Sequence, residues 1–300
     1  KKSTISVIGL GYIGLPLSLA FVKSGFKVIG IDKDQRKIKS LNSKKSYIST
    51  ISDLQIKKAL RKNFTATTKF NNISKSDIII TCVPTPIDKN KKPALNDIAN
   101  VVSKIKKYLK KNQLYILECT SYPGTSEEFF LPVFKKNKLQ IGKNIFLGYS
   151  PEREDPGNLN FSIIKGNLSK VVSGYSNHCK TLVQDLYSNI IDKIHPVSSI
   201  KTAEFTKLLE NIYRAVNVGL VNELFQISSK MDINIYEAIK AASTKPFGFK
   251  PFYPGPGVGG HCIPVDPHFL SWKAKQYNLQ TKFINLASLI NDNRPKEITK

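Results

Sequence analysis

The sequence predicts an α/β fold in which a doubly wound parallel sheet is followed by a helical domain with one long connecting helix. Three observations support this prediction. Short apolar runs alternate with segments of helical periodicity between residues 4 and 195. A glycine-rich turn joins the first apolar run to the first helical segment. Beyond Val197 the strand patterns end, and residues 203–231 show helical periodicity without a proline.

The first strand and the turn after it predict a dinucleotide site. Residues 4–8 form an apolar run, 9–14 are the turn Gly-Leu-Gly-Tyr-Ile-Gly, and 15–23 have helical periodicity. A second strand, 27–32, ends in an acid, Asp32. The spacing GxGxxG between a strand and a helix, with an acid closing the next strand, is typical of a Rossmann-like fold. The alternative is an ordinary turn between a strand and a helix.

Each glycine of this turn has a predicted role. Gly9 makes the tight turn, Gly11 leaves room for the pyrophosphate, and Gly14 lets the helix pack on the strand. The phosphates would then meet the N-terminus of the helix. Asp32 would accept hydrogen bonds from the adenosine ribose and repel a 2′-phosphate, which favours NAD over NADP.

Polar side chains follow several of the later strands. Further strands are predicted at residues 77–83, 114–119, 145–149 and 170–174, with helices at 96–109 and 179–191. Thr85, Ser121 and Glu152 come after three of these strands. Ligands bind at the carboxyl ends of such strands. One polar residue there is usually a helix cap, whereas several at one edge indicate a site.

The second part of the chain is predicted to be helical. The boundary near Val197 gives a dinucleotide-binding domain at residues 1–197 and a helical domain at 198–300. Within the long helix, Lys207 and Asn211 are four residues apart and share one face. The apolar positions of this helix exceed one narrow stripe, which predicts a homodimer interface. Shorter helices are predicted at 235–242, 269–277 and 283–291.

A loop rich in glycine and proline, residues 254–266, contains Cys262 and ends at Asp266. Glycine lets a backbone pass close to a ligand, and a cysteine becomes nucleophilic where its thiolate is stabilised, as near a helix N-terminus. The loop therefore predicts a reactive thiol ahead of a helix. A structural turn with a buried thiol is the alternative.

Composition and charge restrict the class of protein. The 300 residues are 41% hydrophobic and 23% charged, as in soluble globular proteins. No apolar run approaches the roughly 20 residues of a membrane span, and no signal-peptide pattern opens the sequence. The four cysteines lack paired or metal-ligand spacing, which predicts a cytoplasmic protein without a metal site.

The net charge of +24 raises the possibility of nucleic-acid binding. The lysines, however, are scattered as doublets, and no basic stripe interleaved with aromatic residues accompanies them. We therefore expect a general attraction for anionic ligands, with neither nucleic acid nor a membrane as partner.

In their order along the chain, five segments resemble those of the nucleotide-sugar 6-dehydrogenases, the UDP-glucose/GDP-mannose dehydrogenase family. They are residues 9–14, 83–86, 120–125, Lys207 with Asn211, and 259–266. Residues 150–158 and 245–249 look most like the subgroup that oxidises UDP-N-acetylglucosamine for surface polysaccharides.

The resemblance implies a four-electron oxidation of the sugar C6 hydroxyl to the acid, with NAD as oxidant. Cys262 would carry the sugar as a thiohemiacetal and then as a thioester. Lys207 and Asn211 would stabilise the oxyanion, Asp266 would order a water and the lysine, and Glu152 would be the base for hydrolysis.

The resemblance also implies two sets of binding residues and no metal. The residues expected to contact NAD are Gly9, Gly11, Tyr12, Ile13, Gly14, Asp32, Lys37, Thr85 and Ser121. Those expected in the sugar-nucleotide pocket are Arg153, Phe252, Tyr253 and Gly259. Ser121 stands where many relatives carry threonine, and the hydroxyl is retained.

Family members usually continue into a third, UDP-binding domain, and this sequence stops about where it would begin, so we expect it to be absent from the chain. A fragment and a natural short form are both compatible with that. UDP-glucose, UDP-N-acetylmannosamine and UDP-N-acetylgalactosamine are alternative substrates. A non-catalytic, dimeric NAD-binding module is an alternative of a different class.

Overall fold

The computed structural model describes residues 3–153, 168–260 and 263–299. The chain divides into two compact units. The first consists of Lys1–Thr85 and Ala94–Lys207, and the second of Pro86–Pro93 and Leu208–Lys300. This division falls inside one helix, and the boundary expected near Val197 stays a prediction.

Within the described residues, the first unit contains an eight-stranded sheet. Its strands are β1 (Thr4–Ile8), β2 (Lys27–Ile31), β3 (Phe64–Thr67), β4 (Ile78–Thr81), β5 (Gln113–Leu117), β6 (Ile145–Tyr149), β7 (Lys170–Gly174) and β8 (Ile194–Pro196). Their spatial order is β3-β2-β1-β4-β5-β6-β7-β8. All neighbouring strands are parallel except β6 and β7, which are antiparallel. The predicted doubly wound, Rossmann-like sheet is confirmed.

Helices cover this sheet. They are α1 (Gly14–Lys23), α2 (Gln35–Asn42), α3 (Asp53–Lys62), α4 (Asn96–Ile105), α5 (Thr125–Lys136) and α6 (Asn177–Tyr187), with a 3₁₀ helix at Phe70–Lys75. Both faces of β1 are covered, because Val7 is fully buried and the adjacent Ile8, which lies on the opposite face, is only 2% exposed. The chain turns back between β1 and β4, which creates the switch point where such sheets bind ligands.

The second unit is helical. It contains most of α7 (Ile200–Lys230), followed by α8 (Ile235–Ala242), α9 (Asp266–Lys275) and α10 (Lys282–Ile298). The predicted long helix is confirmed. Helices α7 and α10 pack closely at Gly219, where a Cβ would make ordinary van der Waals contact with the Cα of Ala287 at 3.6 Å. Asn291 of α10 then donates to the carbonyl of Ala215 at 2.9 Å.

No described helix combines the length and apolarity that crossing a bilayer requires. In the same parts of the chain, no three histidine, cysteine or acidic side chains are grouped so that they could hold a metal ion.

Candidate active site

The glycine turn after β1 has the geometry that its sequence predicts. Gly9 has a φ of 92°, and a Cβ there would lie 2.4 Å from the carbonyl oxygen of Cys82. A Cβ on Gly14 would lie 1.9 Å from the Gly9 carbonyl oxygen. At Gly11, by contrast, a Cβ would meet no atom within 4 Å. The turn is therefore tight at both ends and open in the middle, which leaves room for a pyrophosphate at the N-terminus of α1.

Asp32 lies directly after β2 and faces this turn. One carboxylate oxygen accepts a hydrogen bond from the Leu10 backbone N–H at 2.8 Å and lies 3.3 Å from the Lys37 ammonium. The other accepts from the Asp34 backbone N–H at 2.9 Å. The structure thus brings Asp32, Lys37 and the glycine turn together at the end of β2. Tyr12 is largely exposed beside them, and Ile13 is partly exposed.

Tyr47 is a further contact of the turn that the sequence did not reveal. Its hydroxyl donates to the Leu10 carbonyl at 2.5 Å. Burial raises the pKa of this hydroxyl above its ordinary value, and the nearby Asp32 carboxylate acts in the same direction. Tyr47 lies in an irregular segment after α2 with no recognisable motif, so only the folded structure could identify it.

Ser121 and Thr85 follow β5 and β4, as expected. Thr85 is partly exposed. Ser121 is fully buried, and its hydroxyl lies 3.4 Å from the carboxylate of Glu204 on α7. The same carboxylate accepts from the backbone N–H groups of Gly124 at 2.5 Å and Ser126 at 2.9 Å. Glu204 therefore closes the N-terminus of α5, where an anion is favoured by the helix dipole.

Burial raises the pKa of Glu204 to about 7, although the hydrogen bonds from Ser126 and Gly124 act in the opposite direction. The sequence alone indicates no role for this residue. Glu204 stands three residues before Lys207 in the sequence, but the residues that donate hydrogen bonds to it are more than seventy positions away.

Glu152 follows β6 and is 16% exposed. Its carboxylate accepts from the Arg153 backbone N–H at 2.7 Å and lies 3.3 Å from the ammonium of Lys170. Lys170 is fully buried and also lies 3.2 Å from Glu118. The Arg153 guanidinium donates to the Ser169 carbonyl at 2.6 Å.

The second unit brings Asn211 and Asp266 together. The Asn211 amide donates to the Asp266 carboxylate at 2.5 Å, and both side chains are buried. Asp266 is the first residue of α9, so its negative charge lies at the favourable end of that helix. One helical turn before Asn211, Lys207 is 8% exposed, and no described carboxylate lies within ion-pairing distance of it.

The glycine-rich loop is anchored before it reaches the cysteine. The Gly255 N–H donates to Asn222 at 2.9 Å, and its carbonyl accepts from Arg294 at 3.3 Å. Phe252 packs edge-on against Tyr213, with ring centroids 5.7 Å apart. Two further predicted site residues, Tyr253 and Gly259, are exposed. Cys262, with His261, lies outside the described residues.

Comparisons with known proteins agree with this geometry. Residues 3–191 match the profile of the "UDP-glucose/GDP-mannose dehydrogenase family, NAD binding domain", and residues 201–293 match that family's central domain. The chain is 39% identical to "Protein CapL" of Staphylococcus aureus over 98% of its own length and 68% of that protein. It is 38% identical to the UDP-N-acetyl-D-glucosamine 6-dehydrogenase of Pseudomonas aeruginosa, over 97% and 68%.

A solved structure is also similar throughout. The UDP-D-ManNAc dehydrogenase of Pyrococcus horikoshii superposes with a TM-score of 0.90 at 32% identity, covering 99% of this chain and 70% of that one. The NAD-binding profile covers both the glycine turn and Asp32, so the cofactor is NAD. The chain belongs to the UDP-glucose/GDP-mannose dehydrogenase family, whose members are NAD-dependent oxidoreductases acting on nucleotide sugars.

Proposed function

We propose that the protein is a UDP-N-acetylglucosamine 6-dehydrogenase, which oxidises C6 of the sugar to the uronic acid for surface polysaccharide synthesis in the cytoplasm. The observation that carries the proposal is the buried hydrogen bond between Asn211 and Asp266. It ties α7, one turn after Lys207, to the start of the helix that follows Cys262 in the chain. Without this hydrogen bond, burying the two polar side chains would cost free energy of folding.

The first unit fits NAD. The open middle of the glycine turn admits the phosphates, and the Asp32 carboxylate at the end of β2 suits a ribose with free hydroxyls. Tyr12, Ile13, Thr85 and the Ser121 loop extend the contact surface. NAD held there would supply the hydride acceptor for two successive oxidations at C6, while the protein's own side chains would bind the carbon and transfer the protons.

The Cys262 thiolate is proposed to add to the C6 aldehyde and form a thiohemiacetal, whose oxidation gives a thioester. Water then attacks the thioester carbon, the C–S bond breaks, and the thiolate returns as the carboxylic acid leaves. Each sugar thus consumes two NAD and one water. Covalent capture prevents the aldehyde from escaping between the two oxidations.

Lys207 and Asn211 are proposed to stabilise the oxygen of C6 while it carries negative charge. A buried ammonium suits this task, because its attraction for a negatively charged oxygen is stronger out of water. The Asp266 carboxylate fixes the orientation of the Asn211 amide and would order the hydrolytic water. Glu152, buried apart from one edge, would take the proton of that water.

The sugar specificity rests on the resemblance of residues 150–158 and 245–249, with Arg153, Phe252, Tyr253 and Gly259 proposed to line the pocket. The named relatives include both N-acetylglucosamine and N-acetylmannosamine enzymes. UDP-N-acetylmannosamine is therefore the main alternative substrate, and UDP-glucose and UDP-N-acetylgalactosamine are further ones.

A homodimer formed through α7 is also proposed. Six apolar side chains on this helix are 42–54% exposed and stand three or four residues apart, except for one interval of seven in the middle: Phe205, Leu209, Tyr213, Leu220, Leu224 and Ile227. An exposed apolar stripe of this kind is typical of an interface between subunits.

The test is a panel of the four UDP-sugars with NAD and the full chain, monitored by NADH absorbance and by the mass of the product. We expect the highest kcat/KM with UDP-N-acetylglucosamine and two NADH per uronic acid. A higher kcat/KM with UDP-N-acetylmannosamine would reassign the substrate. NAD binding without NADH formation from any of the four would favour the non-catalytic module.

A further inference from the structure

Three buried side chains, Lys170, Glu118 and Tyr187, form a cluster with Glu152 and have no part in the steps above. Lys170, at the start of β7, has a fully buried side chain. Its ammonium lies 3.2 Å from Glu118 and 3.3 Å from Glu152. The hydroxyl of Tyr187, also fully buried, donates to Glu118, and its ring lies 5.3 Å from the same ammonium.

The position of Lys170 follows from the one antiparallel pair of the described sheet. Tyr149 of β6 pairs with Ser173 of β7, and Gly148 with Gly174. The same register, continued beyond the end of β6, sets Glu152 opposite Lys170. A parallel strand would begin at the other edge of the sheet, whereas the antiparallel β7 places its first residue at the edge where the neighbouring parallel strands end.

The three charged side chains of the cluster differ in their exposure to solvent. Glu118 and Lys170 are both fully buried, so each needs the other as a counter-ion. Burial raises the pKa of Glu118, while Lys170 acts against this. Burial alone would lower the pKa of Lys170, but the two carboxylates raise it above its ordinary value. The lysine therefore stays charged, and Glu152 is the member of the cluster that keeps an exposed edge.

We propose that Lys170 is the positioning residue of Glu152: its ammonium holds the carboxylate in a fixed orientation, while Glu118 and Tyr187 hold the ammonium. This inference rests on the proposed role of Glu152 as the base in thioester hydrolysis. A misoriented Glu152 would accept the proton of the water poorly, so loss of the ammonium should slow hydrolysis and leave both oxidations intact.

The variants are chosen so that neither of the two fully buried charges, Lys170 and Glu118, is left without a counter-ion. E118Q serves as the reference, because it neutralises Glu118 and keeps Lys170 beside Glu152. K170M/E118Q removes both buried charges and leaves Glu152 without the ammonium. K170R/E118Q restores a cation at the same place. Thermal unfolding and NAD binding are measured for each protein, and K170Q/E118Q replaces K170M/E118Q should the latter not fold.

Kinetics and mass spectrometry of the full chain with UDP-N-acetylglucosamine and NAD give the readout. Relative to E118Q, we expect K170M/E118Q to lower kcat about 10–100-fold with KM changed little, the range typical of residues that orient a catalytic group. The first turnover should still release two NADH, and a covalent sugar-nucleotide adduct should accumulate. K170R/E118Q should recover most of kcat.

Two results overturn the proposal in different ways. A folded K170M/E118Q with the kcat of E118Q, alongside a slow Glu152→Gln enzyme that accumulates adduct, would make Lys170 purely structural and leave the function of Glu152 intact. A Glu152→Gln enzyme with unchanged kcat would instead remove the proposed role of Glu152, and with it that of Lys170.

Discussion

The carboxylate of Glu204 on α7 accepts a hydrogen bond from the backbone N–H of Gly124 at 2.5 Å. Gly124 immediately precedes α5 and has a φ of 103°, so the turn presents its N–H and those of the first helical turn in one direction. A single buried side chain therefore holds the loop that also carries Ser121. This links the proposed NAD contact to the helix that bears Lys207.

Glu204 should make the stability of the protein depend on pH. Its pKa is raised from 4.5 to about 7, so the folded state binds a proton more tightly than the unfolded state. The free energy of unfolding should therefore fall as the pH rises from about 4.5 to about 7, by about 3 kcal/mol from this group. Urea unfolding of the protein and of Glu204→Gln at pH 5 and pH 8 measures the effect.

The Glu204→Gln protein should lose that part of the pH dependence, because glutamine does not titrate. If both proteins lose the same free energy between pH 5 and pH 8, another group is responsible. Glu127→Gln on α5 serves as a control: it removes a partly exposed carboxylate, and because Glu127 is only a minor cause of the raised pKa of Glu204, most of the pH dependence should remain.

Asp32 should determine the preference for NAD over NADP. Replacing it by asparagine removes the negative charge that a 2′-phosphate would face, while the side-chain oxygen can still accept from Leu10. We expect the ratio of the two Kd values to narrow at least about tenfold, equivalent to about 1.4 kcal/mol. Calorimetric titration with each cofactor gives the ratio.

The matched control is Asp34→Asn. Asp34, two residues after Asp32, is the N-cap of α2. Its carboxylate accepts a hydrogen bond from the Arg36 backbone N–H instead of from the glycine turn. Its substitution should leave the cofactor preference unchanged. Tighter binding of NADP than of NAD by the unmodified protein would contradict the assignment of Asp32.

A charge on the exposed stripe of α7 should dissociate the proposed homodimer. Leu220 is 51% exposed near the middle of the stripe, and Leu220→Glu would bury an unpaired carboxylate between subunits. We expect sedimentation velocity to show a monomer for this variant. Leu54→Glu is the control, because Leu54 is 57% exposed on α3 of the first unit. An unmodified protein that sediments as a monomer would refute the dimer.

Local features of the fold and site could be predicted from the sequence, whereas contacts between distant residues could not. The glycine turn and Asp32 were predictable because their spacing is set by one continuous strand-turn-helix-strand segment. The start of helix α3 could also have been predicted, because Ser52 and Gln55 have the spacing of a capping box, which they form in the structure. The missed parts of the site depend on pairs far apart in the chain, such as Lys170 with Glu118 and Glu204 with Gly124.

The antiparallel direction of β7 was missed for a related reason. An alternation of strands and helices favours parallel pairing, and the apolar run at 170–174 has the same pattern in either direction. Its direction is visible only in the folded structure, where Tyr149 of β6 pairs with Ser173 of β7. The sequence therefore did not distinguish Lys170 from the many other lysines of this basic chain, although its side chain is fully buried.

The proposed chemistry depends most on Cys262 and Glu152, and replacing each of them should block a different step of the reaction. Serine in place of Cys262 keeps an oxygen nucleophile of similar size with a far higher pKa, so it should add poorly to the aldehyde and form an ester that is hydrolysed slowly. Glutamine in place of Glu152 should permit both oxidations and then leave the thioester in place. Rapid-quench measurement of NADH and intact-protein mass spectrometry distinguish the two.

For Glu152→Gln we expect a burst of two NADH per active site, followed by turnover slowed about 10²–10⁴-fold, the usual contribution of a general base. The accumulated adduct should have the mass of the sugar nucleotide and map to the peptide that contains Cys262. Cys262→Ser should show neither the burst of two NADH nor a thiol adduct. If Cys262→Ser instead formed two NADH per sugar at the unmodified rate, the thiol would be structural, and the carbon would have to be oxidised twice without a covalent link to this residue.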